Sequence, residues 1–176
     1  MLLFFSRNRR GKKMKVVQKQ NNSKMCIICG MDNPLGVQAQ FYEMEDKSLC
    51  GLFTFKEEHQ SYPGRVHGGM ISAMLDELAC RAFWVHCPEI LGVTISLETK
   101  YRKPVPYGVP LKGIGRITRL TKKTFEAECF IKNQDNEVLA EGIIRYLILP
   151  GEKITDASYH EEMCYHIIDD IKEIEI

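Results

Sequence analysis

Residues 68 to about 85 constrain the fold more than any other stretch of the chain. They include Met70, Ile71, Ala73, Met74, Leu75, Leu78, Ala79, Ala82, Phe83 and Trp84. A helix built from them is apolar on nearly every side, so it must be enclosed rather than lie on a surface. Pro88 sets its end. The material to enclose it lies on both sides in sequence. Strand-like runs occupy about 92–102, 110–120, 124–133 and 137–149, and two shorter ones fall near 39–41 and 49–55. In the first long run Ile95, Leu97, Thr99 and Tyr101 alternate with Ser96, Glu98, Lys100 and Arg102. In the third, Phe125, Ala127, Cys129 and Ile131 alternate with Glu126, Glu128 and Lys132. Short polar turns join the runs, which favours antiparallel neighbours. The reading is an α+β architecture: an antiparallel sheet of about six strands wrapped around one long central helix.

With 176 residues the chain is of single-domain size, and 44% hydrophobic against 27% charged residues excludes general disorder. No apolar run reaches the roughly 18 residues of a membrane-spanning helix, so no membrane partner is expected. The net charge of +1 conceals a gradient. Residues 1–25 hold eight Lys/Arg and no acid, and residues 151–176 hold eight acids and two lysines. The expected division is a basic, disordered tail over 1–25, a functional domain over 26–150 and an acidic extension over 151–176, helical from about 158. The basic run has no folded reader beside it, so nucleic acid is not expected as a partner. Seven cysteines, an odd number without the spacing of a disulfide scaffold, point to a reducing, cytoplasmic setting. Cys26 and Cys29 form the one close pair. No second pair or histidine follows at ligand spacing, so the pair reads as reduced thiols in a turn and no metal is expected.

The densest chemistry lies at the start of the helix, in His67-Gly68-Gly69-Met70-Ile71-Ser72-Ala73-Met74-Leu75-Asp76-Glu77. Two glycines at a helix start leave N–H groups without intrahelical partners at the positive end of the dipole. Such groups suit an anion or a developing oxyanion. Asp76 and Glu77 are the only acids on the helix. Glu77 precedes Arg81 by four residues, the favourable order for an ion pair. Asp76 has no cation at that spacing. It forms a small polar stripe with Ser72 and Cys80 on an otherwise apolar rod, where an unpartnered carboxylate is costly. That marks it as a functional candidate. Gly68 and Asp76 are about 12 Å apart along the axis. One helix cannot bring both to the same carbonyl carbon, so a site that uses both needs two copies of the chain.

His67-Gly68-Gly69, with an acid nine positions after the histidine, resembles the signature of hotdog-fold acyl-CoA thioesterases of the phenylacetic-acid-degradation (PaaI-like) type. Cys26-x-x-Cys29-Gly30-x-Asp32-Asn33-Pro34-x-Gly36 resembles an opening seen in many members. Gly92-Val93-Thr94 followed by Tyr101-x-x-Pro104 resembles the next strand. The resemblance covers about 26–150 and implies a hotdog fold, with the sheet wrapped around the helix. By position it implies that Asp76 is the general base or nucleophile of thioester hydrolysis and that the Gly68 N–H stabilises the oxyanion. His67 would fix the loop, and Thr94 would help to orient the water. Two positions depart from the pattern. Ser61 stands where relatives often have Asn or Gln, and Cys80 where some have Thr.

The resulting expectation is hydrolysis of an acyl-CoA to free acid and coenzyme A, without a cofactor, by a homodimer or a dimer of dimers. Gly69, Ser61 and Cys80 are expected on the substrate side. Lys100, Arg102 and Lys103 are expected to meet the phosphates of coenzyme A. A non-catalytic acyl-CoA-binding hotdog module is the alternative, and Asp76 speaks against it.

Overall fold

A computed structural model describes residues 11–88 and 90–176. Its centre is α1 (Gly68–Trp84), the helix expected from the all-round apolar pattern. Ile71, Met74, Leu75, Leu78, Ala79, Ala82 and Phe83 on it are buried. Among the described residues, no helix is long and apolar enough to cross a membrane.

The strands are β1 (Lys13–Lys19), β2 (Gln40–Met44), β3 (Leu49–Thr54), β4 (Leu91–Tyr101), β5 (Pro110–Leu120), β6 (Thr124–Lys132), β7 (Val138–Leu149) and β8 (Glu173–Glu175). They form one sheet in the order β4-β7-β6-β5-β3-β2-β1-β8. Every neighbouring pair is antiparallel. The inner face supplies Phe41, Leu49, Phe53, Leu111, Phe125, Ala127, Ile131 and Ile144 to the core around α1.

Among the described residues the sheet has eight strands rather than about six, and the two extra ones come from the charged ends of the chain. Lys13–Lys19 is a strand, not part of a disordered tail; residues 1–10 of that expected tail lie outside the described residues. Met14 and Ile174 sit opposite each other, flanked by the register pairs Lys13–Glu175 and Lys15–Glu173. These two apolar residues join Tyr42, Met44, Cys50 and Ile114 in a second cluster. That cluster covers the side of β2, β3 and β5 that faces away from α1. The basic and acidic ends therefore pair with each other, with Lys19 Nζ 2.6 Å from Asp169 Oδ2. The helix expected from about 158 is confined to α2 (Tyr159–Glu162). Beyond it, pairing with β1 outweighs the helical spacing of Ile167, Ile171 and Ile174.

Close contact between α1 and β5 depends on two glycines. A Cβ at Gly115 would lie 2.7 Å from the Leu78 carbonyl oxygen, and one at Gly113 would lie 2.5 Å from Leu78 Cδ1. This is the physical role of the Gly113-x-Gly115 pair.

Candidate active site

The small polar stripe of α1 faces β4 and β7. Thr94 on β4 stands opposite Tyr146 on β7 in the sheet register, so both side chains leave the sheet on the same face. They meet Asp76. Thr94 Oγ1 donates to Asp76 Oδ1 at 2.8 Å. The Tyr146 hydroxyl lies 2.6 Å from the same oxygen and 2.6 Å from the Asp76 carbonyl oxygen. Asp76 is thus half-buried and held by two hydroxyls, not buried without a partner as its helical neighbours suggest. Its Oδ2 has no hydrogen-bond partner among the described residues.

A β-bulge between Thr94 and Ser96 makes this arrangement possible. The extra residue reverses the alternation of β4. Ile95, which simple alternation places with Leu97 and Thr99, is instead 57% exposed, and Thr94, itself exposed, turns toward Asp76 on α1. Farther along, Ser72 Oγ lies 3.2 Å from Thr99 Oγ1 and 2.8 Å from the Tyr101 hydroxyl. Tyr146 is the residue that sequence reasoning missed, because nothing local marks one strand tyrosine as the partner of an acid 70 positions earlier. It is fixed by stacking on Phe125 at 4.5 Å, which stacks in turn on Phe83 at 4.1 Å. Burial, with Cys80 and Asp76 nearby, pushes its hydroxyl well above the usual tyrosine range. It therefore stays protonated and remains a donor. Burial likewise pushes the Cys80 thiol up to about 12.

At the other end of the stripe, His67 caps α1, its Nδ1 accepting from Gly69 N–H at 2.9 Å. The Gly69 N–H is therefore occupied, and that of Gly68 has no partner among the described residues. Tyr101 closes over this point, donating to the Gly68 carbonyl oxygen at 3.1 Å. An open cleft of about 550 Å³ begins here, lined in part by Ser61, Arg65, Gly68, Gly69, Arg102 and Lys103. Arg102 pairs with Glu141 at 2.5 Å, and Lys103 with Glu137. Lys100 lies outside the cleft and faces Glu98 at 3.4 Å. Asp76, Thr94 and Cys80 are not among the cleft's lining residues. The expected residues thus form two groups: Asp76 with Thr94 and Tyr146, and Gly68 with the basic cleft.

Residues 63–140 match the family described as Thioesterase superfamily. Over that stretch the chain is similar to this superfamily, and it has the hotdog fold. The matched stretch contains His67, Gly68, Asp76 and Thr94 but stops short of Tyr146. The rat protein named acyl-coenzyme A thioesterase THEM4 is 24% identical over 123 residues, covering 69% of this chain and 52% of that protein. This hotdog chain spans about half the length of the rat and mouse relatives it matches. Among solved structures, PaaI from the E. coli phenylacetic acid degradation operon has a TM-score of 0.59 at 16% identity, covering 65% of this chain and 82% of that one. A Bacillus halodurans protein solved with CoA has a TM-score of 0.58 at 22% identity, covering 65% and 76%. These likenesses show the hotdog fold.

Proposed function

We propose that the chain hydrolyses acyl-CoA thioesters, with Asp76 as base or nucleophile and the Gly68 N–H as oxyanion donor. The observation that carries this reading is the Asp76 carboxylate itself. One oxygen is held by Thr94 and Tyr146, and the other is open among the described residues. A carboxylate anchored at one oxygen presents the second in a fixed direction. Acting as base, Oδ2 takes a proton from water while the water oxygen bonds to the thioester carbon. The carbonyl electron pair moves to oxygen, where a helix N-terminal N–H stabilises it. Collapse breaks the C–S bond, and the coenzyme A thiolate leaves and takes up the proton. Acting as nucleophile, Oδ2 bonds to the carbon and the C–S bond breaks, releasing coenzyme A thiolate; water then adds to the resulting anhydride, which frees the acid, restores the Asp76 carboxylate and leaves one proton for the thiolate.

The separation of the two groups supports a site shared by two copies. Gly68 and Asp76 sit about 12 Å apart along α1. Strand β4, which carries Thr94, is at the edge of the sheet and, among the described residues, pairs only with β7. Ile95, Tyr101 and Ile143 are exposed around that edge, a surface suited to a second copy. Arg65 at the cleft, joined by Arg102 and Lys103 on exchange of their Glu141 and Glu137 partners for phosphate, would supply positive charge for coenzyme A.

The test is thiol release from a panel of acyl-CoAs by wild type and Asp76→Asn. The reading expects turnover in the wild type and a loss of about a hundred- to ten-thousand-fold in the variant. Acyl-CoA binding with no turnover of any panel member would sink it in favour of a binding module.

A further inference from the structure

Glu77 follows Asp76 on α1 and so projects about 100° around the helix from it. There it meets the Cys26–Cys29 turn. The two Sγ atoms and a Glu77 carboxylate oxygen all lie within 4.8 Å of one another. Ligand atoms around a tetrahedral zinc ion are roughly 3.5–4 Å apart, given bonds of about 2.3 Å to sulfur and about 2 Å to oxygen.

The turn is already shaped for a thiolate at Cys26. The N–H groups of Ile28 and Cys29 donate to Cys26 Sγ at 3.3 and 3.5 Å. Gly30 N–H closes the turn on the Cys26 carbonyl at 2.8 Å. A Cβ at Gly30 would lie 2.4 Å from that same oxygen, so the turn requires glycine. Ser23 Oγ lies 3.2 Å from Cys29 Sγ.

Arg81 supplies the second, independent observation. Its side chain is fully buried. Its Nε donates to Glu77 Oε1 at 2.6 Å, which leaves Oε2 on the cysteine side, 3.8 Å from Cys26 Sγ. The guanidinium interacts with both Cys29 and Glu77, yet its buried Nη2 has no hydrogen-bond partner among the described residues. A buried cationic donor left open is costly. A thiolate beside it would be a strong acceptor, whereas a neutral thiol or disulfide sulfur is a poor one.

We propose that Cys26, Cys29 and Glu77 bind a thiophilic divalent cation, zinc by preference, which ties the segment before β2 to α1. The charges close: two thiolates and one carboxylate around a divalent ion carry a single negative charge, and Arg81 neutralises it. Arg81 thereby acts as the outer partner that orients Glu77 and satisfies a thiolate. Binding releases the two thiol protons to solvent. A water completes the fourth position. A Cys26–Cys29 disulfide would instead leave Glu77 Oε2 and Arg81 Nη2 without a role. This site does not depend on the thioesterase reading.

The test is cobalt substitution in the full chain, stripped with a chelator and kept reduced. One equivalent of Co²⁺ should give thiolate charge-transfer and tetrahedral absorption bands, and zinc should abolish them. Cys26→Ser should lose the charge-transfer band while circular dichroism shows it folded, and Asp76→Asn should keep it. Alkylation mapping of the wild type needs no variant: zinc should protect Cys26 and Cys29 but not exposed Cys164. Absent bands, bands that survive Cys26→Ser, or a Cys26–Cys29 disulfide that zinc does not prevent would overturn the site.

Discussion

The Tyr146 hydroxyl lies 2.6 Å from Asp76 Oδ1, the oxygen that also accepts from Thr94. On the proposed mechanism, Tyr146 would act on the reaction through the position of Asp76. Tyr146→Phe keeps the ring stacked on Phe125 and removes only the donor. A hydrogen bond to a charged group is worth about 1.5–3 kcal/mol, so kcat should fall about ten- to hundred-fold with little change in KM. A merely structural tyrosine would lower the melting temperature and leave kcat alone. Steady-state kinetics on the folded variant separates the two outcomes.

His67 holds the first turn of α1 through Gly69 N–H at 2.9 Å. Losing a side-chain cap costs about 1 kcal/mol. His67→Ala should therefore lower stability by that amount and loosen the glycine turn that would hold the oxyanion in the proposed mechanism. His67→Asn, which restores a capping acceptor, should recover both stability and kcat. If histidine were instead the proton donor to the leaving thiolate, the asparagine variant would recover stability alone.

The parts of the fold visible in the sequence were those whose cause is local. The all-round apolar pattern of 68–85 gives α1, and period-two alternation gives β2 to β7. The ends of the chain escaped because charge hides their alternation. Met14 sits between Lys13 and Lys15, and Ile174 between Glu173 and Glu175, and they are buried together in a cluster that also holds Tyr42, Met44, Cys50 and Ile114. Asp76 was legible as a greasy helix's odd acid. Its partners were not, since Thr94 and Tyr146 reach it through strand register and a bulge that inverts Ile95. Glu77 looked fully explained by Arg81. Its closeness to Cys26 and Cys29 is a property of the fold.

Gly115 and Gly113 test how tightly α1 rests on β5. A methyl at Gly115 meets the Leu78 main-chain oxygen at 2.7 Å, and main chain within a helix cannot step aside. Overpacking of this kind costs about 1–3 kcal/mol. A methyl at Gly113 meets the end of the Leu78 side chain, which has other rotamers. Urea unfolding should rank Gly115→Ala as the more destabilised of the two. The reverse order would mean that the helix, rather than the leucine, gives way.

Asp169 joins the acidic end of the chain to the basic one. Burial pushes its carboxyl up. Hydrogen bonds from Lys19, Tyr42 and the Ile171 N–H, together with the Lys19 charge, outweigh burial and bring it to about 2 from an ordinary 3.8. A folded-state value below the unfolded one contributes stability that is present above about pH 4 and lost as pH falls toward 2. Asp169→Asn should therefore lower stability at pH 7, by about 1 kcal/mol for a partly buried pair, and flatten the acid limb between those values. Thermal melts of both proteins from pH 7 to 2 would show the curves converging at the acid end. Parallel curves would exclude Asp169 as the group responsible.

The 12 Å between Gly68 and Asp76 leads to a complementation experiment. Asp76→Asn removes the base. Gly68→Val crowds the helix start, where a Cβ already meets the Tyr101 hydroxyl at 3.3 Å. Each variant alone should be nearly inactive. In a mixed dimer, one site combines both lesions and the other combines neither. Random mixing of equal amounts makes half the dimers mixed, so about a quarter of wild-type activity should return. Refolding the two variants together and measuring acyl-CoA hydrolysis tests this directly. Activity that stays at the level of the separate variants would mean that each chain completes its site alone, with an oxyanion donor other than Gly68.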